Sequence, residues 1–222
     1  MKHFWQKQAF LWFIGLLIAV PIVILTLDMP VSLWCMTHKD WGRPWHELRR
    51  LIMLSEIFGH GWGAVFVGLA VYVLDPARRR GFYRLVLVVL ATGLAPDLIK
   101  LILARYRPHF FFSGTFPGVA DNVWQTFGGI QTAFSSDYQS FPSGHSALAC
   151  GLAVILVQLY PRGKFFFSML ATLVMVQRVV ACAHFPSDTL AGAALGIFVA
   201  TLCLPGGHED DPSLEDHSLQ SK

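Results

Sequence analysis

Three short stretches hold the residues whose types and spacing could do chemistry. The stretch 177–188 brings Arg178, His184 and Asp188 within eleven positions. Lys100 and Arg107, followed by Pro108, form a second group, and Phe141-Pro142-Ser143-Gly144-His145 forms a third. Together they supply three cations, two histidines, a carboxylate and a glycine turn. That set suits a negatively charged, oxygen-rich substrate such as a phosphate, whose oxygens take charge-assisted hydrogen bonds.

His184 and Asp188 are four residues apart with Pro186 between them. Proline fits the first turn of a helix, so a helix is expected to start there, and helical geometry reaching back to His184 would put Asp188 on its side. A carboxylate bonded to one ring nitrogen fixes the tautomer and leaves the other nitrogen to attack. Arg178, six residues before His184, has the fork geometry for two phosphate oxygens. The alternative is a pair of polar residues at an ordinary turn.

Ser143-Gly144-His145 precedes an apolar run. A helix N-terminus there presents unpaired N–H groups to an anion. Ser143 can donate its hydroxyl, Gly144 admits close backbone approach, and His145 stands where an imidazolium could protonate a leaving oxygen. Taken alone, the tetrapeptide fits an ordinary helix cap better than an anion site. Lys100 and Arg107 are seven apart, so on one helix they share a face, and Pro108 is expected to end that helix. Asp97 is placed to pair with Lys100. Arg105 reads as a side chain snorkelling to the interface.

The elements that must position these residues are membrane spans. The chain has 222 residues, 54% hydrophobic and 14% charged, against about 25% charged in soluble domains. Apolar runs at 9–27, 57–74, 85–104, 146–160, 165–181 and 187–204 predict six spans. The first is too long for a signal peptide and lacks a small-residue cleavage site, so it reads as a retained helix. Residues 29–56 mix Trp34, Trp41 and Trp45 with charges and read as a loop and an interfacial helix. His60 falls within the second span and reads as a packing residue.

The fold expected is an all-α six-helix membrane bundle over residues 1–204, with a polar, acidic, disordered tail at 205–222. Basic residues concentrate in the loops at 75–84 and 161–164, which places those loops and both termini in the cytoplasm. All three motifs then meet at the opposite face. The net charge of +3 gives no reason to invoke nucleic acid. Cys35, Cys150, Cys182 and Cys203 lie far apart, without zinc spacing. Neither a disulfide nor a metal site is expected.

Lysine-x6-arginine-proline, then proline-serine-glycine-histidine, then arginine-x5-histidine-x3-aspartate resembles the type 2 phosphatidic acid phosphatase superfamily. The resemblance covers residues 85–204. Gln177 departs from it, because the family places serine before this arginine. The resemblance implies His184 as nucleophile, Asp188 as its orienting partner and His145 as general acid. Lys100, Arg107, Ser143, Gly144 and Arg178 would hold the phosphate oxygens. Soluble relatives of the family include vanadium haloperoxidases, whose vanadate resembles the phosphoryl transition state.

The resemblance implies hydrolysis of a lipid phosphate or diphosphate, through a phosphohistidine and without cofactor, at the outer face of a bacterial inner membrane. Candidate substrates are undecaprenyl diphosphate, phosphatidylglycerol phosphate, phosphatidate and lipid A phosphate. Phe110, Phe111, Phe112 and Trp124, just beyond Arg107, are expected to sit at the membrane interface beside the lipid. The alternatives are phosphotransfer to a lipid acceptor and a non-enzymatic anion transporter.

Overall fold

The computed structural model describes residues 2–38, 45–113, 123–126 and 135–203. The tail at 205–222 and most of the loop beyond Phe112 lie outside the described residues. The chain forms a mostly helical membrane protein. Its helices are α1 (Lys2–Thr26), α2 (Asp28–Thr37), α3 (His46–Leu54), α4 (Gly61–Leu74), α5 (Arg79–Lys100), α6 (Pro108–Phe111), α7 (Gly144–Leu159), α8 (Lys164–Val180) and α9 (Pro186–Leu202). Strands β1 (Leu103–Arg105) and β2 (Trp124–Thr126) pair antiparallel, with Arg105 opposite Trp124.

Helix α7 is the centre. It is apolar all round, and Ala147, Leu148, Ala149, Leu152, Ile155 and Leu156 are buried. Helices α5, α8 and α9 pack around it, and α1 packs on α9. The outer helices turn large apolar side chains outward, including Leu25, Leu74 and Phe165. Water would penalise that surface and lipid does not. Helices α7 and α9 meet where α9 carries Gly192 and Gly196. A Cβ at Gly192 would lie 2.3 Å from the Ser143 carbonyl oxygen, and one at Gly196 would lie 2.1 Å from that of Ala147. Small residues four apart let two membrane helices touch backbone to backbone. Here that contact brings the N-terminal ends of α7 and α9 together.

Among the described residues, three helices are long and apolar enough to cross a membrane: Lys7–Thr26, Gly81–Lys100 and Pro161–Val180. The pair His46–Gly59 and Gly61–Leu74, bent by 69°, would make a fourth. Helices α7 and α9 have 16 and 17 residues, or about 24 and 26 Å, against a hydrocarbon core of about 30 Å. Length alone therefore does not reach the expected six. Helix α7 begins at the site residue Gly144, and α9 begins two residues after His184.

Two expected spans have different bounds. The second is broken at His60, where a 3-10 turn (Ser55–Gly59) meets α4. His60 is the exposed N-cap of α4 and its ring accepts from the Trp62 N–H at 3.3 Å. The third span ends at Lys100 rather than at residue 104, because the chain turns at 101–102 and enters β1. Lys100 and Arg107 consequently share no helix face. Pro108 starts α6 instead of ending α5, in keeping with its fixed φ and missing N–H.

The loops at 75–78 and 160–163 share the end of the bundle away from the motifs. The Tyr160 hydroxyl donates to Asp75 at 3.1 Å, and the Arg78 guanidinium lies 4.8 Å from the Tyr160 ring centroid.

Candidate active site

His184 sits in the turn between α8 and α9. Its backbone N–H and that of Ala183 both donate to the Arg178 carbonyl, at 3.2 and 3.1 Å. This closes the chain back on itself, through a left-handed Cys182 with φ 55. The imidazole is 2% exposed. Its Nδ1 lies 2.7 Å from the Ser140 carbonyl oxygen. A carbonyl only accepts, so Nδ1 carries the proton and Nε2 keeps the lone pair. Burial pushes the imidazole pKa down to about 4; Asp188 opposes this, while Arg107 and Arg178 add to it. The ring is therefore neutral at pH 7.

Asp188 does not bond His184 directly. Its Oδ2 is 3.9 Å from Nδ1, beyond hydrogen-bond reach. That oxygen accepts instead from the Ser140 hydroxyl at 2.6 Å and the Phe185 N–H at 2.8 Å. The expected orienting contact is thus indirect: Asp188 holds the Ser140 segment whose carbonyl holds the histidine. Helical geometry does not extend back to His184, because Phe185 is the extended N-cap of α9. The Asp188 backbone carbonyl accepts from the Ser143 N–H at 3.0 Å, which ties the second motif to the third.

Behind Asp188 stands Arg105, and it does not snorkel. It is 2% exposed, donates from Nη1 to Asp188 and to the Ser187 hydroxyl (2.8 Å), and from Nη2 to Asp28 at 2.6 Å. Asp28 also accepts from the Ser187 N–H at 2.9 Å. The guanidinium lies between the rings of Trp124 (4.5 Å) and Phe185 (4.2 Å). Trp124 therefore covers Arg105. Strand geometry explains the contact: β2 sets Trp124 opposite Arg105.

Ser143 is the N-cap of α7, accepting from the Ser146 N–H at 3.4 Å and the Ser146 hydroxyl at 3.1 Å. It is fully buried, and its own hydroxyl hydrogen is uncommitted by those two bonds. A Cβ on Gly144 would lie 3.7 Å from the Lys100 amine, so that cation reaches the start of α7 although its helix ends there. Lys100 also pairs with Asp97 at 3.0 Å. Arg107 is half-buried, and burial followed by the neighbouring Arg178 pushes its pKa down. The Nε atoms of Arg107 and Arg178 and Nε2 of His145 are buried without a hydrogen-bond partner among the described residues. Buried donors are rarely left so, and these belong to residues assigned to phosphate or to proton transfer. The His60 ring stands 5.8 Å from that of His145, beside the site rather than in remote packing.

Asp28, Arg105, Ser140 and Glu56 join the site although the sequence motifs do not include them. Asp28 carries one visible signal, as an acid directly after an uncharged run of twenty residues. Among the described residues no group of three or more His, Cys, Asp or Glu could hold a metal ion.

A PAP2 superfamily model matches residues 81–210. The chain belongs to the PAP2 superfamily. Over 115 residues it is 34% identical to lipid A 1-phosphatase of Rhizobium johnstonii, covering 51% of this chain and 43% of that protein. The chain spans about half the length of the curated relatives of this kind. Two solved structures share the PAP2 fold. Aquifex aeolicus LpxE superposes with a TM-score of 0.56 at 19% identity, covering 80% of this chain and 94% of that one. The transmembrane PAP2 type phosphatidylglycerolphosphate phosphatase of Bacillus subtilis gives 0.51 at 19% identity, with 98% and 97% covered. At that identity both speak to the fold alone.

Proposed function

We propose that the chain is a six-span membrane phosphatase that hydrolyses a lipid phosphate or diphosphate through a phosphohistidine on His184. One observation carries the reading: a neutral histidine held by Nδ1 at the Ser140 carbonyl, within the field of Arg107 and Arg178. In the first step the Nε2 lone pair attacks phosphorus, the bond to the lipid oxygen breaks, and His145 gives that oxygen its proton. In the second, His145 takes a proton from water, the water oxygen attacks the phosphohistidine, and phosphate leaves with His184 neutral again. Lys100, Arg107, Arg178 and the N–H groups at the start of α7 hold the equatorial oxygens, where charge spreads in the transition state. Ser143 and Gly144 shape that N-terminus.

The curated relatives are named lipid A 1-phosphatase, lipid phosphate phosphatase and undecaprenyl-diphosphatase, which favours lipid A phosphate and undecaprenyl diphosphate as substrates, with phosphatidate and phosphatidylglycerol phosphate beside them. Phosphotransfer would use the same site, a lipid hydroxyl replacing water. A transporter would distribute its charges along a path, whereas these gather at one end of the bundle. The decisive assay uses one phosphate headgroup on long, short and absent chains, each below its micelle-forming concentration. Remote apolar contacts that help place the phosphate raise kcat/KM, so it should fall at least about tenfold, or about 1.4 kcal/mol, from long chain to none. Equal kcat/KM across the series would remove the lipid.

The basic loops at 75–84 and 161–164 favour a topology with the opposite, motif-bearing end at the outer face of a cytoplasmic membrane. Cysteine in place of Ser113 should then react with an impermeant thiol reagent on intact cells, and cysteine in place of Arg162 should not. The reverse pattern would put the site in the cytoplasm.

A further inference from the structure

Glu56 belongs to none of the three motifs, yet its carboxylate reaches donors of two of them. Oε1 accepts from Arg178 Nη1 at 2.6 Å and lies 3.5 Å from His145 Nε2. Oε2 accepts from the Gln177 amide at 3.0 Å. Two oxygens of one anion thus meet an arginine, an amide and a histidine, as two oxygens of a phosphate would. Gln177, the residue that departs from the family pattern, spends its amide on this carboxylate.

The contact is built into the packing. Glu56 lies in the 3-10 turn Ser55–Gly59, pressed against α7 and α8. A Cβ on Gly59 would meet the His145 carbonyl oxygen at 2.8 Å and Val174 Cγ1 at 2.6 Å, so only glycine lets the turn come this close. The Glu56 side chain is nevertheless 41% exposed, while that of Arg178 is 9% exposed. The carboxylate has room to swing toward solvent; the guanidinium does not. A phosphate bound by Arg178 and a carboxylate on the same nitrogen would repel each other at short range.

We propose that Glu56 is an internal competitor for the phosphate cradle. It occupies the Arg178 and Gln177 donors beside His145 when the site is empty, and the substrate phosphate displaces it. This rests on the reading of those residues as the phosphate site. Glu56 is a specificity-determining residue: a weak anion cannot displace it, whereas a phosphate anchored by further contacts can. It also hastens release of inorganic phosphate by re-entering the cradle.

The test compares wild type, Glu56→Gln and Glu56→Asp, each purified at full length, with orthophosphate as probe in calorimetric titration and as inhibitor of lipid phosphate hydrolysis. Glutamine keeps the shape and removes the charge, so orthophosphate should bind at least tenfold tighter to Glu56→Gln and raise its Tm more than that of wild type. Aspartate, one methylene shorter, should fall between the two, and it carries the test if the glutamine variant does not survive purification. Orthophosphate affinity unchanged or weaker in both variants overturns the proposal. So does a fall in kcat with unchanged orthophosphate affinity, which would assign Glu56 to holding His145. A wild-type protein that hydrolyses no lipid phosphate, while Glu56→Gln binds orthophosphate tighter, would sink the phosphatase reading and leave the competitor standing.

Discussion

Replacing His184 with alanine should lower lipid phosphate hydrolysis by at least about 10⁴-fold, or about 5 kcal/mol of barrier, while the protein still folds. The loss is expected in kcat, because the imidazole forms the bond that carries phosphorus between lipid and water. Folding should survive because the partners of His184 remain satisfied without it. Asp188 keeps the Ser140 hydroxyl, the Phe185 N–H and Arg105. The Ser140 carbonyl loses one donor at a site adjoining the pocket, where water can replace it. Two measurements check this. Initial rates in detergent give the activity, and a brief pulse of radiolabelled substrate gives the phosphoprotein, which should be stable in base, labile in acid and absent from the variant. Activity within about tenfold of wild type would end the nucleophile assignment.

Much of this site was legible because a few residue types at fixed spacing report on local geometry. Pro186 and Ser143 mark helix starts, and the structure begins α9 at Pro186 and caps α7 with Ser143. Alternating apolar runs and basic loops gathered residues from distant positions at one end. The failures came where partners lie far apart in sequence. Arg105 at the end of an apolar run looks like a snorkelling cation, and only Asp28, 77 residues earlier, shows otherwise. Lys100 and Arg107 look like one helix face until β1 pairs with β2 and ends the helix. Trp124 reads as an interfacial aromatic, and its role over a buried guanidinium is set by strand register, which the sequence does not show. The spacing of His184 and Asp188 suggested a direct bond, whereas an extended Phe185 separates them and Ser140 fills the gap. Glu56 gave no local signal, because its partners lie on α7 and α8.

The same buried charges set the second large effect, which falls on stability. Replacing Arg105 with methionine should destabilise the protein by about 3–5 kcal/mol. Methionine fills much of the space between Trp124 and Phe185, so the loss is one of charge and hydrogen bonds rather than of volume. Two carboxylates, Asp28 at 2% exposure and Asp188 at 0%, then face each other's field without a cation. Among the described residues Asp188 retains two donor residues, Ser140 and Phe185, and Asp28 retains one, Ser187. Lysine should rescue little, because a single ammonium cannot span both carboxylates as the planar fork does. Adding Asp28→Asn to Arg105→Met removes the worse of the two stranded charges. The double variant should recover at least about 1.5 kcal/mol relative to simple addition of the two single losses, as contacting residues in one network do. Thermal or denaturant unfolding in one detergent, with all four proteins side by side, measures the cycle. Additive losses, or an Arg105→Met penalty below about 1 kcal/mol, would mean that Arg105 is not the cation that holds Asp28 and Asp188 in the interior.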